Sequence, residues 1–508
     1  MEMKHIKMKE TLDLNPNPLI RFLEKPSQDF TKNDLIRFIE AKGIEMINFR
    51  YAGADGRLKT LNFIINSKHH LDNILSAGER VDGSSLFPHY VEAGSSDLYV
   101  VPRYRTAFVN PFSKIPAVDI LCSYYNKDGG PYTISPEYIL RKSHELLKKR
   151  TGFTFEVMGE LEYYIIHEEN SLFRADEQKG YHESSPFCKW EELRTEAMLT
   201  ITRCGGNIKY GHSEVGNFIE GGLAFEQNEI EFLPTSVENA GDQLMIAKWI
   251  LRNLAYKYGA TVTFAPKITT GKAGSGLHIH TRLLQDRKNV MVKNGHLSDV
   301  AKKVISGYLD LAQSLTAFGN TIPTSYFRLV PHQEAPTNIC WGDQNRSVLV
   351  RVPLAWNSKY NMLSDANPNE KEPEKDFNQR QTIEFRCPDG SADIYLLLAG
   401  LTMAAIHGLE MKDALTFADK RYVDINIFEK KHKGRTSQLD RLPDSCWHSA
   451  DCLEKQRSAY EKQDVFPHQI IDGIIKKLRS YNDENLRATI KENEKEILKL
   501  VNSYLHCG

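Results

Sequence analysis

Long apolar runs are missing from this sequence of 508 residues. No window approaches the roughly eighteen uninterrupted apolar residues that a membrane-spanning helix needs. The N-terminal residues, MEMKHIKMKE, also lack the apolar stretch of a secretory signal. These absences predict a protein that has no membrane partner and works in the cytoplasm.

An excess of one charge sign is missing as well. The chain has 65 lysines and arginines against 66 aspartates and glutamates, which gives a net charge of -1. Proteins that bind nucleic acid or anionic membranes through their overall field carry a clear positive excess. We therefore expect no nucleic-acid partner, and any function that depends on charge must arise from local clusters.

Paired cysteines and a phosphate-binding loop are missing too. The eight cysteines are scattered and no two form a C-x-x-C pair, which argues against a zinc ribbon or a disulfide framework and predicts reduced thiols. No G-x-x-x-x-G-K-[ST] sequence occurs, and GKAGSG at 271–276 lacks the lysine and hydroxyl residue that would follow. The phosphates of a bound nucleotide would then need metal ions and arginines.

What is present is a two-part pattern of helices and strands. Residues 1–28 read as an irregular N-terminal arm, residues 29–125 as a small α+β domain, and residues 126–508 as a large domain. In the small domain, Thr31 is a predicted helix N-cap and Gly43 a predicted helix end. The runs EMINFRY and RLKTLNFII predict two strands joined by the turn Ala54-Asp55-Gly56.

The large domain alternates predicted helices with short strands. Helical periodicity covers 136–150, 238–258 and 297–318, and the charged, amphipathic tail from Asp464 to Tyr504 also reads as helix.

Three predicted strands carry ionisable residues two positions apart. These pairs are Glu160 and Glu162 in GELEYYII, His278 and His280 in GSGLHIHTRLL, and Glu384 and Arg386 in TIEFRC. Residues i and i+2 of a strand point to one face of the sheet. One such pair favours an ordinary half-exposed strand. Three pairs made of carboxylates, imidazoles and a guanidinium favour a binding site.

Two further acidic residues have glycine-bearing or apolar neighbours: Glu214 in HSEVGNF and Glu229 in FEQNEIEF. If all these side chains converge, five carboxylates share one cavity with one or two imidazoles, and they repel one another unless divalent cations neutralise them. An oxygen-rich set suits magnesium or manganese better than zinc. Their convergence stays open at the level of sequence.

Residues 324–353 are rich in arginine. The segment contains Arg328, Arg346 and Arg351 with Glu334 between them, together with prolines and turn residues typical of a loop over a site. The planar guanidinium matches the oxygens of phosphates and carboxylates. Surface ion pairing would explain one or two of the three arginines, whereas a site would bind a phosphate and a carboxylate.

The ordered motifs resemble the glutamine synthetase family. VDGSS and SSDLYVVP resemble the end of its N-terminal β-grasp domain. Its catalytic domain is matched in order by GELEYYII, HSEV, QNEIEF, FAPKITTGKAGSGLHIH, SYFRLVPHQEAP, NRSVLVRVP and IEFRCPDGSADIYL. The resemblance runs from about residue 31 to about 410 and is weaker afterwards. It implies an α+β fold, in which a small β-grasp domain precedes a catalytic domain with a curved antiparallel sheet flanked by helices.

The resemblance also implies two sites for Mg²⁺ or Mn²⁺. Glu162, Glu214 and Glu229 would hold one metal beside glutamate, and Glu160, His278 and Glu384 the other beside the ATP phosphates.

The substrate-binding roles follow from the same resemblance. Arg328 would bind the α-carboxylate of glutamate, Gly274 its amino group and Arg386 its reacting carboxylate. Arg346 and Arg351 would face the ATP phosphates with His280 nearby, and Glu334 would be the flap residue that takes a proton from the incoming nitrogen.

The implied reaction is formation of an acyl phosphate on glutamate by ATP, followed by attack of ammonia to give glutamine. Relatives form hexameric rings, in some cases dodecamers, so a homo-oligomer is expected. The family also contains proteins that ligate larger amines and proteins without catalysis, and these are the two alternatives.

Several positions depart from the family pattern. Gly53 replaces an aspartate that helps bind ammonium, and Ala273 replaces the asparagine before the glutamate-loop glycine. Arg282 stands for a serine, and Asp393-Ile394 for Asn-Pro. The loss of an anion at the ammonium corner favours an organic amine as acceptor, while the shared motifs keep ammonia as the default.

Overall fold

Two β-sheets organise the chain in the computed structural model, which describes residues 12, 14–88, 96–330, 335–354, 360–371, 377–427, 438–490 and 493–508. A six-stranded sheet belongs to the N-terminal part and a ten-stranded sheet to the rest. The predicted α+β class is confirmed, with a small β-grasp unit followed by a curled sheet that helices flank.

The N-terminal sheet has the strand order β2-β1-β6-β4-β3, with β5 paired to β6. β1 pairs antiparallel with β2 and parallel with β6, as in a β-grasp arrangement. The strands are β1 Met46–Ala52, β2 Leu58–Ile64, β3 Glu79–Asp82, β4 Asp97–Pro102, β5 Phe108–Val109 and β6 Ala117–Tyr125. The helices here are α1 Pro18–Leu23, α2 Lys32–Lys42, α3 Lys68–Ala77 and α4 Gly83–Leu86.

Helix α2 begins and ends where the sequence predicts. The Thr31 side chain accepts a hydrogen bond from the Asp34 amide while the Asp34 carboxylate accepts from the Thr31 amide, which is a capping box. Gly43 ends the helix with a φ of 61°, in the left-handed region that glycine adopts without strain.

The larger sheet has the order β16-β17-β18-β12-β7-β9-β8, with β10 and β11 on β7 and β13 on β12. Its strands are β7 Thr154–Glu168, β8 Ile208–Glu220, β9 Leu223–Phe232, β10 Thr235–Ser236, β11 Thr261–Thr263, β12 Leu277–Gln285, β13 Lys288–Asn289, β16 Trp341–Asp343, β17 Val350–Val352 and β18 Ile383–Phe385. A separate hairpin joins β14 Val292–Lys293 to β15 His296–Leu297.

Helices pack on one face of the larger sheet and around its ends. They are α5 Pro136–Thr151, α6 Glu191–Arg203, α7 Val237–Lys257, α8 Asp299–Asp310, α9 Ala312–Gly319, α10 Ser325–Arg328, α11 Met362–Ala366, α12 Ile394–Glu410, α13 Ala414–Lys420, α14 Cys446–Gln456, α15 His468–Arg479, α16 Leu486–Thr489 and α17 Glu494–Tyr504. No single described helix is long and apolar enough to cross a membrane, although α12 and α13 pass that test as a pair bent by 108°.

Three predictions need correction. Residues 1–28 are not irregular throughout, because α1 lies within them and buries Leu19, Ile20 and Leu23 in the N-terminal core. The predicted helix over 297–318 is broken at Leu311 into α8 and α9. The tail is not one helix either, because α15 is separated from α16 and α17. Asn482 has a φ of 51°, and the neighbouring Asp483 carboxylate accepts hydrogen bonds from the Cys446 and Trp447 amides at 2.8 and 3.0 Å. Capping α14 therefore takes Asp483 out of the helical path.

The alternation of β7 separates the core from a polar face. Phe155, Val157 and Leu161 are fully buried on the side where Gly159 meets Leu244 of α7. The intervening positions face the opposite side of the sheet. Strands β12 and β18 alternate in the same way, so their apolar residues join this core and their ionisable residues share the other face.

Other expectations concern cysteines and domain limits. All eight cysteines are free of disulfide bonds, as predicted. β6 ends at Tyr125 and α5 begins at Pro136, whereas the proposed domain limits after residues 28 and 125 stay a prediction.

A buried carboxylate joins the small domain to the large one. Asp242 of α7 accepts two hydrogen bonds from Arg103 at 2.9 Å, one from Arg105 at 2.8 Å and one from the Tyr395 hydroxyl at 2.8 Å. Burial raises the pKa of Asp242, but the two arginines outweigh this effect and hold the pKa below its usual value. Asp242 is therefore an ionised link between the domains.

We predict that Asp242→Ala lowers stability by about 3 kcal/mol, because two largely buried arginines lose their anion. In scanning calorimetry the thermal midpoint should fall by roughly 3 °C. The folded-state pKa is depressed, so this contribution is present at neutral pH and is lost as the pH falls through it.

The exposed pair of Arg141 and Glu145, 3.9 Å apart, provides the control, and Glu145→Gln should change the midpoint little. Equal effects of the two substitutions would contradict the role given to Asp242.

Candidate active site

Ionisable side chains from six strands share the polar face of the larger sheet. Adjacent positions in the strand register are Glu229 with Glu162, Glu160 with His278, and Glu384 with both His280 and Arg351. His212 of β8 lies opposite Glu229, and Glu214 follows it two residues later. The period-two pairs of the sequence therefore converge on one region.

Glu160 lies between two imidazoles. Its Oε2 is 3.0 Å from Nδ1 of His278 and its Oε1 is 2.8 Å from Nε2 of His280. Burial raises the pKa of Glu160, yet the imidazoles, His280 first, hold that pKa well below the usual value. Burial lowers the pKa of His280, and Glu160 more than offsets this, so the pKa of His280 is raised. This end of the cluster is a bonded anion–cation network.

Glu384 is fully buried between two arginines. Its oxygens lie 2.5 Å from Nη1 of Arg386 and 3.0 Å from Nη1 of Arg351. Burial raises the pKa of Glu384, but Arg386 above all keeps the pKa below its usual value. Both arginines are thereby fixed at the edge of the acidic cluster, facing the same region.

Glu229 has the opposite environment. Burial raises the pKa of its carboxyl group well above the usual value, and the nearby carboxylates of Glu160, Glu162 and Glu214 raise it further. Like charges this close cannot all be ionised in protein surroundings without a cation. This end of the cluster therefore needs a bound cation to be fully charged.

Glu162 is held by the loop that precedes β12. Its Oε2 accepts hydrogen bonds from the Gly276 amide at 2.7 Å and from Nε2 of Gln227 at 3.1 Å. A Cβ on Gly276 would lie 2.5 Å from Nη2 of Arg328 and 2.9 Å from Nε2 of His278. Glycine is required because the loop backbone approaches both side chains.

The cluster lines a cavity of about 830 Å³, whose walls include Tyr181, Tyr210, Arg346 and Arg351. An adjoining cavity of about 300 Å³ is lined by Gly274, Arg328 and Arg386 among others. The two cavities share Glu162, His278 and Arg386. The small cavity, which Arg328 and Arg386 line, therefore opens beside the large cavity, which Arg346, Arg351 and the acidic cluster line.

Among the described residues, three groups have possible ligand atoms that lie within 4.8 Å of one another inside the group. The groups are Glu160, His280 and Glu384; Glu160, Glu229 and His278; and His212, Glu214 and Glu229. Carboxylate oxygens dominate these groups, which fits Mg²⁺ or Mn²⁺. The grouping differs from the two ligand sets expected above, because it includes His212 and His280 and leaves out Glu162. The individual metal and substrate roles stay predictions, and Glu334 lies outside the described residues.

Sequence reasoning missed three residues of this region. His212 stands two before Glu214, and Glu231 stands two after Glu229, so the period-two rule would have found both. Glu231 is 2% exposed and its Oε1 lies 2.6 Å from Nζ of Lys209. Tyr181 comes from the loop between β7 and α6, and nothing in its local sequence signals a site.

The departures from the family pattern fall into two kinds. Arg282 is bonded to Glu156 at 2.6 Å, and the Asp393 side chain caps α12 by accepting from the Leu396 amide at 3.1 Å. These two residues have structural partners. At the turn between β1 and β2, Gly53 has no side chain, and the neighbouring Asp55 carboxylate lies 2.5 Å from Nζ of Lys59.

Ala273 also departs from the family pattern, and it lines the small cavity. Its amide donates to Oε1 of Gln178 at 2.8 Å, and its carbonyl accepts from the Tyr164 hydroxyl at 2.8 Å. The backbone of this loop is held without the amide side chain that the family pattern has there.

Comparisons with known proteins agree with this architecture. Residues 133–498 match the family model for the glutamine synthetase catalytic domain, and residues 43–127 match the one for the glutamine synthetase beta-grasp domain. The first match extends beyond residue 410, where the motif resemblance weakens. Glutamine synthetase of Pyrococcus horikoshii is 30% identical over 424 residues, which cover 83% of this chain and 86% of the relative.

Similarity extends to a protein with another reaction and to a solved structure. 3-Hydroxylaminophenol mutase of Cupriavidus pinatubonensis is 27% identical over 466 residues, which cover 85% of this chain and 91% of the mutase. The cryo-electron microscopy structure of Plasmodium falciparum glutamine synthetase has a TM-score of 0.73 at 20% identity, covering 91% of this chain and 98% of its own. The fold is thus shared. Sequence identities at this level do not identify the substrates, which have to be inferred from the site.

Glu229→Gln tests the need for a cation. The amide removes one of the crowded carboxylates, so we predict that the thermal midpoint of metal-free protein stays equal or rises. Stabilisation by added Mn²⁺ should shrink, with the Mn²⁺ dissociation constant raised at least about tenfold. Calorimetry with and without Mn²⁺ measures both effects.

The control is Glu220→Gln, at an exposed position of the same hairpin, which should leave the Mn²⁺ effect unchanged. An unaltered Mn²⁺ effect in Glu229→Gln would count against cation binding at this cluster.

Proposed function

The chain belongs to the glutamine synthetase family, and we propose that it is an ATP-dependent carbon–nitrogen ligase that converts glutamate and ammonia to glutamine. The γ-carboxylate of glutamate first takes the γ-phosphoryl group of ATP and becomes an acyl phosphate, with release of ADP. Ammonia then attacks the acyl carbon, phosphate leaves, and a proton passes from the nitrogen to Glu334.

One observation carries the proposal: a crowded carboxylate cluster faces the same cavity as two arginines. Glu229 needs a cation to ionise among its neighbours, and the oxygen-rich ligand sets suit Mg²⁺ or Mn²⁺. Arg346 and Arg351 line the same space. Metal ligands beside phosphate-binding side chains are what phosphoryl transfer without a phosphate-binding loop requires.

The metal ligands in this proposal are the predicted sets. Glu162, Glu214 and Glu229 hold the cation beside glutamate, and Glu160, His278 and Glu384 hold the cation beside the ATP phosphates. Bound divalent cations would offset carboxylate charge and polarise the oxygens of the transferring phosphoryl group.

The small cavity is the proposed glutamate pocket. Arg328 is oriented by two backbone carbonyls, those of Cys387 at 2.8 Å and Arg386 at 3.4 Å, and binds the α-carboxylate. Gly274 lies in the loop beside Arg328 and contacts the amino group. Arg386 lies in both cavities and contacts the reacting carboxylate.

The large cavity is the proposed phosphate space. Arg351 is fixed by its bond to Glu384, while Arg346 lies 6.0 Å from the Tyr181 ring and has no ion pair among the described residues. Both guanidinium groups stabilise charge on the transferring phosphoryl group. His280 lies close to the phosphates, and Glu334 shields the acyl phosphate from water.

A second candidate is a ligase for an organic amine. The turn that would supply an anion for ammonium has Gly53, and Asp55 nearby is already bonded to Lys59. An ammonium site without its anion binds the cation less well. The same acyl phosphate would then be attacked by a monoamine or polyamine.

The assembly and location belong to this proposal as well. We expect a cytoplasmic homo-oligomer of hexameric rings, as one ring or as a stacked dodecamer, with no membrane or nucleic-acid partner.

Isotope transfer tests the acyl phosphate. Glutamate labelled with ¹⁸O in the γ-carboxylate, incubated with ATP, Mn²⁺ and ammonia, should yield glutamine and phosphate that contains one ¹⁸O atom. The label moves because the carboxylate oxygen leaves with the phosphoryl group. Mass spectrometry of the phosphate measures it, with Glu160→Gln as the inactive control. ATP consumption that leaves the phosphate unlabelled would refute the mechanism.

Competition among acceptors separates the two candidates. We predict that ammonia supports phosphate release. The rate with ammonia is compared with the rates with methylamine, ethanolamine, putrescine and spermidine at equal concentrations. A kcat/KM for ammonia that exceeds that for each amine supports glutamine synthesis. A ratio reversed by tenfold or more, about 1.4 kcal/mol, would instead establish an amine ligase.

A further inference from the structure

We propose that His212 is a ligand of the glutamate-side metal ion, in addition to Glu214 and Glu229. This inference rests on the proposed function, since it concerns the cation that the ligase would bind. His212, Glu214 and Glu229 form one of the three clusters whose ligand atoms lie within 4.8 Å of one another. Neither the motif resemblance nor the predicted ligand sets assign a role to His212.

The orientation of the imidazole carries the argument. Nδ1 of His212 lies 3.0 Å from the Ser213 carbonyl oxygen, and a carbonyl can only accept. The ring proton is therefore on Nδ1, and in the neutral ring the lone pair is on Nε2. A backbone carbonyl that fixes the tautomer in this way is a regular feature of metal-binding histidines.

The lone pair of His212 faces another acceptor. Nε2 lies 3.3 Å from Oε1 of Glu229. Two such atoms at this separation are stabilised by a shared proton or by a metal ion bound to both. Because Glu229 is already surrounded by other carboxylates, a divalent cation satisfies both groups at once.

Neighbouring rings hold the imidazole in place. The ring of His182 lies 4.4 Å from that of His212, and Tyr181 stacks on His182 at 4.2 Å. Tyr210 covers another side, with ring centroids 5.9 Å apart. The β8–β9 register sets His212 directly opposite Glu229. The side chain therefore needs little reorganisation to bind a metal.

An imidazole also changes which metal the site prefers. His278 is expected at the phosphate-side metal, so each metal would have one nitrogen ligand. Nitrogen donors favour Mn²⁺, Co²⁺ and Zn²⁺ over Mg²⁺, which takes oxygen ligands. The glutamate-side metal should then select against Mg²⁺ more strongly than a site made of carboxylates alone.

Pulsed electron paramagnetic resonance of Mn²⁺ bound to the full chain tests the ligand directly, because it detects nitrogen bonded to the metal. In fully loaded protein, His212→Gln should remove about half of the ¹⁴N modulation and His278→Gln the other half. Calorimetric titration should show that His212→Gln weakens Mn²⁺ at one site by at least about tenfold, with Mg²⁺ affinity little changed.

His296→Gln is the control, since it replaces an exposed histidine of the β14–β15 hairpin outside both cavities and should leave the ¹⁴N modulation unchanged. Wild-type modulation and Mn²⁺ affinity in His212→Gln would overturn the proposal. If that variant unfolds, His278→Gln decides alone, because its remaining Mn²⁺ must keep one nitrogen. Failure of wild-type protein to bind Mn²⁺ would refute the proposed function as well, so the two failures are distinguishable.

Discussion

Crowded carboxylates on one sheet face are the constraint on which the rest of this structure depends. Glu162 and Glu229 lie on paired positions of neighbouring strands, and Glu160 is close to both. Self-repulsion of such a set destabilises the fold unless charge of the opposite sign is supplied. The protein supplies part of it through His280 and two arginines, and the remainder points to bound cations.

The carboxylate charge is neutralised by neighbouring side chains at one end of the cluster but not at the other, and this difference has functional meaning. Glu160 and Glu384 are bonded to imidazoles and guanidinium groups, which hold their pKa values low. The pKa of Glu229 is instead raised by burial and by the neighbouring carboxylates, and burial lowers the pKa of its imidazole neighbour His212. A protein that kept this fold only as a scaffold would have no use for the unneutralised end. Its presence beside arginine-lined cavities therefore favours catalysis over a structural role.

Strand alternation made much of the site predictable from sequence. Glu160 with Glu162, and His278 with His280, could be assigned to one face because the period of a strand is two. The same rule, applied to the segments that carry Glu214 and Glu229, would also have identified His212 and Glu231. By contrast, the breaks at Leu311 and Asn482 depend on tertiary packing and capping, and no local pattern reveals them. The partner of Arg282 is likewise a residue on another strand, which a single sequence cannot identify.

Anomalous diffraction from crystals of the protein with Mn²⁺ tests the central claim most directly. Two anomalous peaks are expected in the large cavity, within bonding distance of carboxylates from β7 and β9 and of His278. Absence of manganese from this cavity at saturating concentration, in crystals that diffract well, would contradict the account of the acidic cluster as a metal site.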